Sequence, residues 1–152
     1  MQKIYHTNSP EETKQVALAI GERLRGGETF DVLSDLGGGK TTFIKGLVSG
    51  FGSDDGVSSP SFTISFTYAR PDGARFHHFD FYRLSDPGIM KHELDEVIAD
   101  ERDVVAVEWG DVVADHLPKD TVHVVIKKTN TTAREITITA PPQRAYVCGD
   151  HL

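Results

Sequence analysis

Ser34-Asp35-Leu36-Gly37-Gly38-Gly39-Lys40-Thr41 decides how this chain is read. Phe30-Asp31-Val32-Leu33 precedes it and has the pattern of a short strand. A helical pattern follows, with Phe43, Ile44, Leu47, Val48 and Phe51 on one face and an end near Gly50-Phe51-Gly52. A strand, a glycine cluster and Lys-Thr at a helix start form the context of a phosphate-binding loop. Glycines let successive backbone N–H groups turn inward around phosphate oxygens. The helix N-terminus adds unsatisfied N–H groups and the positive end of its dipole. On this reading Asp35, Leu36, Gly37, Gly38 and Gly39 cradle a nucleotide, and Lys40 sits on its β- and γ-phosphates. The Thr41 hydroxyl coordinates Mg²⁺, and Thr42 adds a hydroxyl to the α-phosphate. One position departs from G-x-x-x-x-G-K-[ST]: Ser34 stands where the first glycine is usual. If that residue needs a positive φ, serine costs about 1–2 kcal/mol there.

Working outward, Ser9-Pro10-Glu11-Glu12 reads as a capped helix start. Val16, Ala17, Ile20 and Leu24 continue that helix, and Gly26-Gly27 closes it. Beyond the loop helix, Phe62 to Tyr68 alternates as a strand, Pro71-Asp72-Gly73 turns, and Phe76 to Leu84 returns as a hairpin partner. Asp86-Pro87 opens a helix that buries Ile89, Met90, Leu94, Val97 and Ile98. Val104 to Val107 is apolar throughout, as in a strand covered on both faces. A short helix or turn spans Asp111 to His116. Val122 to Lys127 and Arg134 to Thr139 form a last hairpin through the polar turn Thr129 to Thr132. The expectation is an α/β protein: a single P-loop NTPase-like domain, its mixed sheet flanked by helices and carrying antiparallel hairpins. Residues 1–140 are expected to form this P-loop domain. Pro141 to Leu152 reads as a loosely attached tail in which Tyr146 and Val147 are the residues able to pack.

The 152 residues and 16.7 kDa suit one domain. A net charge of −7 argues against a broad nucleic-acid-binding surface, and Lys119, Lys127 and Lys128 form no stripe, so neither DNA nor direct tRNA binding is expected. A single cysteine, Cys148, excludes an internal disulfide and fits a reducing compartment. No apolar run is long enough to span a bilayer, and the simplest setting is the cytoplasm.

A phosphate loop needs a further acid to hold Mg²⁺. Glu108, at the end of the apolar strand, is the candidate, with a solvent-facing strand-end acid as the alternative. On the hairpin strand His78, Asp80 and Tyr82 share one face, and Phe79, Phe81 and Arg83 the other. That polar face suggests a wet cleft in which Asp80 orients water or binds Mg²⁺ through water; the alternative is a hydrogen-bonded structural trio. Arg83 could stabilise transition-state charge in cis, but it faces opposite Asp80 and reads rather as a structural ion-pair partner. His77 and His78 diverge, so they do not form a transition-metal site. Trp109 reads equally as core filling or as a residue beside the nucleotide.

Four motifs then stand in order: Asp35 to Thr42, Ser59-Pro60-Ser61-Phe62, His78 to Leu84, and Glu108-Trp109. In order and spacing they resemble the TsaE family, small bacterial P-loop ATPases of tRNA threonylcarbamoyladenosine biosynthesis, over roughly Thr7 to Thr139. The family's usual S-P-T-F is S-P-S-F here. The resemblance implies an ATPase that binds ATP and Mg²⁺ and acts on a complex of TsaB and TsaD. In that complex TsaD transfers threonylcarbamoyl to adenosine 37 of tRNA, so tRNA is reached through the partners. By position it implies Lys40 and Thr41 as phosphate and Mg²⁺ contacts, Glu108 as the acid of the metal site and Asp80 as a second active-site acid. It also implies Ser61 as a switch-like hydroxyl near the γ-phosphate and Trp109 beside the nucleotide or partner surface. Two other classes stay open: a P-loop small-molecule kinase and a nucleotide-binding regulatory module without turnover. A GTPase is disfavoured, because the chain holds no Asn-Lys-x-Asp sequence.

Overall fold

A computed structural model describes residues 1–34, 39–54, 65–81 and 88–149. Seven strands form one sheet in the order β1-β7-β6-β2-β5-β4-β3. The strands are β1 (Gln2–Thr7), β2 (Thr29–Ser34), β3 (Ser65–Ala69), β4 (Arg75–Asp80), β5 (Val104–Glu108), β6 (Val122–Lys128) and β7 (Arg134–Thr139). The centre is parallel: β2 pairs with β5 and with β6, and β4 pairs with β5. The edges are antiparallel, β3 on β4 and β6-β7-β1. The sheet is therefore mixed, as its alternation with helices implied.

Helices α1 (Pro10–Gly21) and α2 (Lys40–Phe51) cover one face. Phe30, Val32, Val104, Ala106, Val124 and Ile138 meet Ala17, Ile20, Phe43, Ile44 and Leu47 there in the larger core. On the opposite face, α3 (Ile89–Ile98) and a 3-10 helix over Gly110–His116 pack Leu94 and Val113 against Phe79, Phe81, Val105 and Val107. All of β5 is buried, the consequence of helices on both sides.

Ser9 caps α1 by accepting from the Glu12 N–H at 3.1 Å. The Glu12 carboxylate reaches back to the Asn8 N–H at 2.6 Å, one residue before the cap. The helix stops at Gly21, earlier than Gly26-Gly27, and a tightened turn continues through Leu24. Close approach of α1 and α2 explains Gly21, Gly46 and Gly50. A Cβ at Gly46 would lie 2.5 Å from the Lys14 carbonyl oxygen and 2.6 Å from the Ala17 Cβ.

The structure adds one strand that the sequence pattern does not mark and corrects one expectation. The start of the chain is the edge strand β1, whose Tyr5 and Thr7 point inward. The segment from Pro141, expected to be loosely attached, packs through residue 149. A 3-10 helix over Pro142–Val147 buries Val147 and Cys148 completely. The Tyr146 hydroxyl donates to Glu28 Oε1 at 2.7 Å, and Arg144 donates to the Gly27 carbonyl at 3.0 Å and pairs with Asp120 at 2.9 Å. Glu28 is itself fully buried, and its carboxylate also accepts the Arg25 and Gly26 N–H groups, which removes the penalty of burying it. Residues 150–152 lie outside the described residues.

Candidate functional site

The candidate residues gather beyond the carboxyl ends of the parallel strands β2, β5 and β4, where open α/β sheets place ligands. Ser34 ends β2 in the sheet. Trp109 is the sole non-glycine residue with a positive φ among the described residues, so Ser34 does not need glycine's freedom. Gly39 does: its φ is +103°, and it stands as the N-cap of α2. No side chain caps this end and no acid lies in its first turn. The N–H groups of Lys40, Thr41 and Thr42 thus open a helix whose dipole favours an anion.

Lys40 lies across the mouth of this region. Its Nζ is 4.0 Å from Glu108 Oε1 and 4.6 Å from the centre of the Trp109 ring. The two side chains are 11% and 5% exposed, so water screens the pair only in part. At an effective dielectric near 20, charges at 4 Å attract with about 4 kcal/mol before desolvation is subtracted. Glu108 is therefore not the solvent-facing strand-end acid of the alternative reading. Period-two alternation puts it on the α1–α2 face with Val104 and Ala106. Trp109 has φ 58° and ψ 46°, which turns the chain out of β5 into the 3-10 helix. Its side chain packs on the second core, so it fills the core and also faces the Lys40 cation.

The parallel register sets Asp80 opposite Glu108, and the Phe81 N–H donates to the Glu108 carbonyl at 3.1 Å. Asp80 is half-buried on the same face. His78, two residues earlier, is fully buried, and its Nε2 lies 2.7 Å from Glu108 Oε2. The face expected to line a cleft is thus buried at His78 and half-buried at Asp80, and Tyr82 lies outside the described residues. The sequence marked His78 by its face, not as the partner of Glu108; the strand pairing that joins them lies 30 residues apart in the chain. His77 points the other way, to Asp103 Oδ2 at 2.8 Å and Thr67 Oγ1 at 3.2 Å. Burial acts to raise the Asp103 carboxyl, but hydrogen bonds from His77 and the Arg75 N–H, with the nearby charges, outweigh it and hold it below its ordinary value.

Sequence reading also missed Arg134. With Thr132 and Pro10 it lines a small cavity of about 30 Å³ against Gly39 and Thr42. Asp35, Leu36, Gly37, Gly38, Ser61, Tyr82 and Arg83 lie outside the described residues, as does most of the Asp54-Asp55-Gly56 loop. Among the described residues, no helix is long and apolar enough to cross a membrane.

A mixed sheet flanked by helices, with a helix N-terminus and Lys-Thr at the end of its central parallel strand, defines an α/β protein of the P-loop NTPase-like class. Residues 7–136 match the family model described as "Threonylcarbamoyl adenosine biosynthesis protein TsaE", and the chain belongs to that family. It is similar to "tRNA threonylcarbamoyladenosine biosynthesis protein TsaE" of Bacillus subtilis (strain 168), at 37% identity over 92% of this chain and 87% of the relative. The protein of the same name from Streptomyces coelicolor is 30% identical over 86% of this chain and 92% of its own. That from Treponema pallidum is 30% identical over 87% and 96%. The crystal structure of Bacillus subtilis YdiB superposes with a TM-score of 0.75 at 32% identity, covering 97% of this chain and 92% of that one.

Proposed function

We propose that this protein binds and hydrolyses ATP as a component of the tRNA N6-threonylcarbamoyladenosine machinery, working with TsaB and TsaD and not as the transferase. The observation that carries the reading is the convergence of Lys40, Glu108 and Trp109 at the uncapped start of α2. Phosphoryl transfer needs mainly positioning and neutralisation of charge, and this group of residues supplies both. Asp35 to Thr42 would receive the phosphates, with Lys40 shifting its charge from Glu108 to them. Asp80 would orient the attacking water, Ser61 would answer the γ-phosphate, and Trp109 would report the nucleotide.

The donor set fits Mg²⁺. That ion takes hard oxygen ligands and is usually held by one or two carboxylates with water and substrate phosphates. Glu108 and the Thr41 hydroxyl would hold it, and when bound it supplies positive charge to the phosphate oxygens. The catalytic unit would be one domain over residues 1–140, with the segment after it stapled to its side. tRNA would be reached through the partners.

Phosphate release from Mg·ATP tests this, measured for the protein alone and with purified TsaB–TsaD, with Lys40→Ala as control. Low activity alone, clear stimulation by the partners and loss in Lys40→Ala is the expected result. Asp80→Ala should lose the stimulated turnover as well. Unstimulated turnover, or none despite complex formation, would favour the small-molecule kinase or the regulatory module.

A further inference from the structure

Glu108 presents its two carboxylate oxygens to different neighbours. Oε1 faces Lys40 Nζ at 4.0 Å, at the mouth of the site. Oε2 is turned inward to His78 Nε2 at 2.7 Å, where the imidazole is 0% exposed. The register makes Ala106, not Glu108, the direct neighbour of His78. The carboxylate therefore leans back along the sheet to reach the ring, and this fixes its orientation.

The other ring nitrogen sharpens the point. His78 Nδ1 is buried and meets no hydrogen-bond partner among the described residues. A buried polar atom without a partner costs stability, and the neighbouring β4 positions Phe76 and Phe79 show that aromatic side chains fit this strand. Among the described residues, the side-chain hydrogen bond that His78 makes goes to Glu108. A ring N–H at Nε2 can donate to the carboxylate oxygen turned towards it.

We infer that His78 is a positioning residue. By donating from Nε2 to Glu108 Oε2 it holds the carboxylate so that Oε1 is presented to a divalent cation. This rests on the reading of Glu108 as the metal-site acid. A free glutamate loses rotamer freedom when it is ordered, and His78 has that loss met in the fold before the cation arrives.

The test uses the full chain loaded with ADP and titrated with Mn²⁺ by calorimetry, with ADP affinity in EDTA and the melting temperature recorded for each variant. His78→Leu should weaken Mn²⁺ binding about 10- to 100-fold and leave metal-free ADP binding unchanged. His78→Gln, whose amide nitrogen reaches the place of Nε2, should restore most of the affinity; the shorter His78→Asn should not. Wild-type Mn²⁺ affinity in His78→Leu overturns the inference. If His78→Leu does not fold, the Gln and Asn variants decide, and equal affinities in the two overturn it. Glu108→Gln run in parallel separates the two readings. If it binds Mn²⁺ like wild type, Glu108 is not the metal-site acid and both readings fall. If it loses Mn²⁺ while His78→Leu keeps it, only the positioning role falls.

Discussion

Truncating Glu108 should damage the fold as well as the site, and the two effects can be separated. From the sequence, Glu108→Ala looks like a clean loss of function. In the structure the carboxylate is 5% exposed and holds two partners. Removing it leaves His78 Nε2, wholly buried, with no acceptor, and Lys40 Nζ without the counter-charge at 4.0 Å. An abandoned buried donor costs about 1–3 kcal/mol, and breaking a buried charge pair from one side about 3–5 kcal/mol. Lys40 can swing towards water, so the lower figure of about 3 kcal/mol is the better value. At about 2–4 °C per kcal/mol for a chain of this size, the melting temperature should fall by at least about 6 °C. Glu108→Gln keeps the volume and an amide oxygen for His78. It breaks the same ion pair with Lys40 but abandons no buried donor, so it should melt above Glu108→Ala by the about 1–3 kcal/mol of that donor, about 2–12 °C. Both variants should lose Mg²⁺-dependent phosphate release in the presence of the partners. Thermal melts and phosphate release on the same preparations read the two effects. An alanine variant that melts within about 2 °C of wild type would refute the structural role. A glutamine variant that turns over normally would remove Glu108 from the chemistry.

Gly46→Ala sets helix propensity against packing. Alanine gains about 1 kcal/mol in a helix interior, but the new methyl meets the Lys14 carbonyl at 2.5 Å, and overpacking against backbone costs about 3 kcal/mol, so the melting temperature should fall by about 4–8 °C. An unchanged or higher value would show that α1 and α2 separate freely. Asp103 gives a pH test. Its carboxyl is held below the ordinary 3.8, so the fold binds fewer protons than the unfolded chain between those two values. The stability it adds is complete above about pH 4 and is lost as pH falls through the folded value. Asp103→Asn should therefore melt lower than wild type at pH 7, and the two melting curves should converge on acidification; curves that stay parallel would refute the assignment.

The parts of this protein that were legible in its sequence are those in which one stretch carries its own pattern. The period of Phe43 to Phe51, the apolar run Val104 to Val107 and the Gly-Lys-Thr junction each specify an element without help from elsewhere. They gave the α/β class, and they put Lys40, Thr41 and Glu108 at the ends of elements; the hairpin pattern carries Asp80 inside a strand to Leu84, whereas β4 ends at Asp80. β1 escaped because its inward positions include Thr7, a polar residue whose burial is made tolerable by a 2.7 Å hydrogen bond to Thr13 of α1. A reader of six residues cannot see that partner. The docked segment after Pro141 escaped for the same reason: its anchor, Glu28, looks like a loop acid until the N–H groups and hydroxyl that satisfy it come together.

The same reasoning separates the two histidines of β4. Adjacent in sequence, they diverge to opposite faces, and each meets an acid on a different element, His77 with Asp103 and His78 with Glu108. His77 has both ring nitrogens engaged, and its acid also accepts a backbone N–H, which is how a polar cluster that serves the fold is built. His78 has one nitrogen engaged and the other buried without a partner among the described residues, an arrangement that packing alone would replace with an apolar ring. The difference in satisfaction, not the difference in residue type, marks His78 as the one tied to the site.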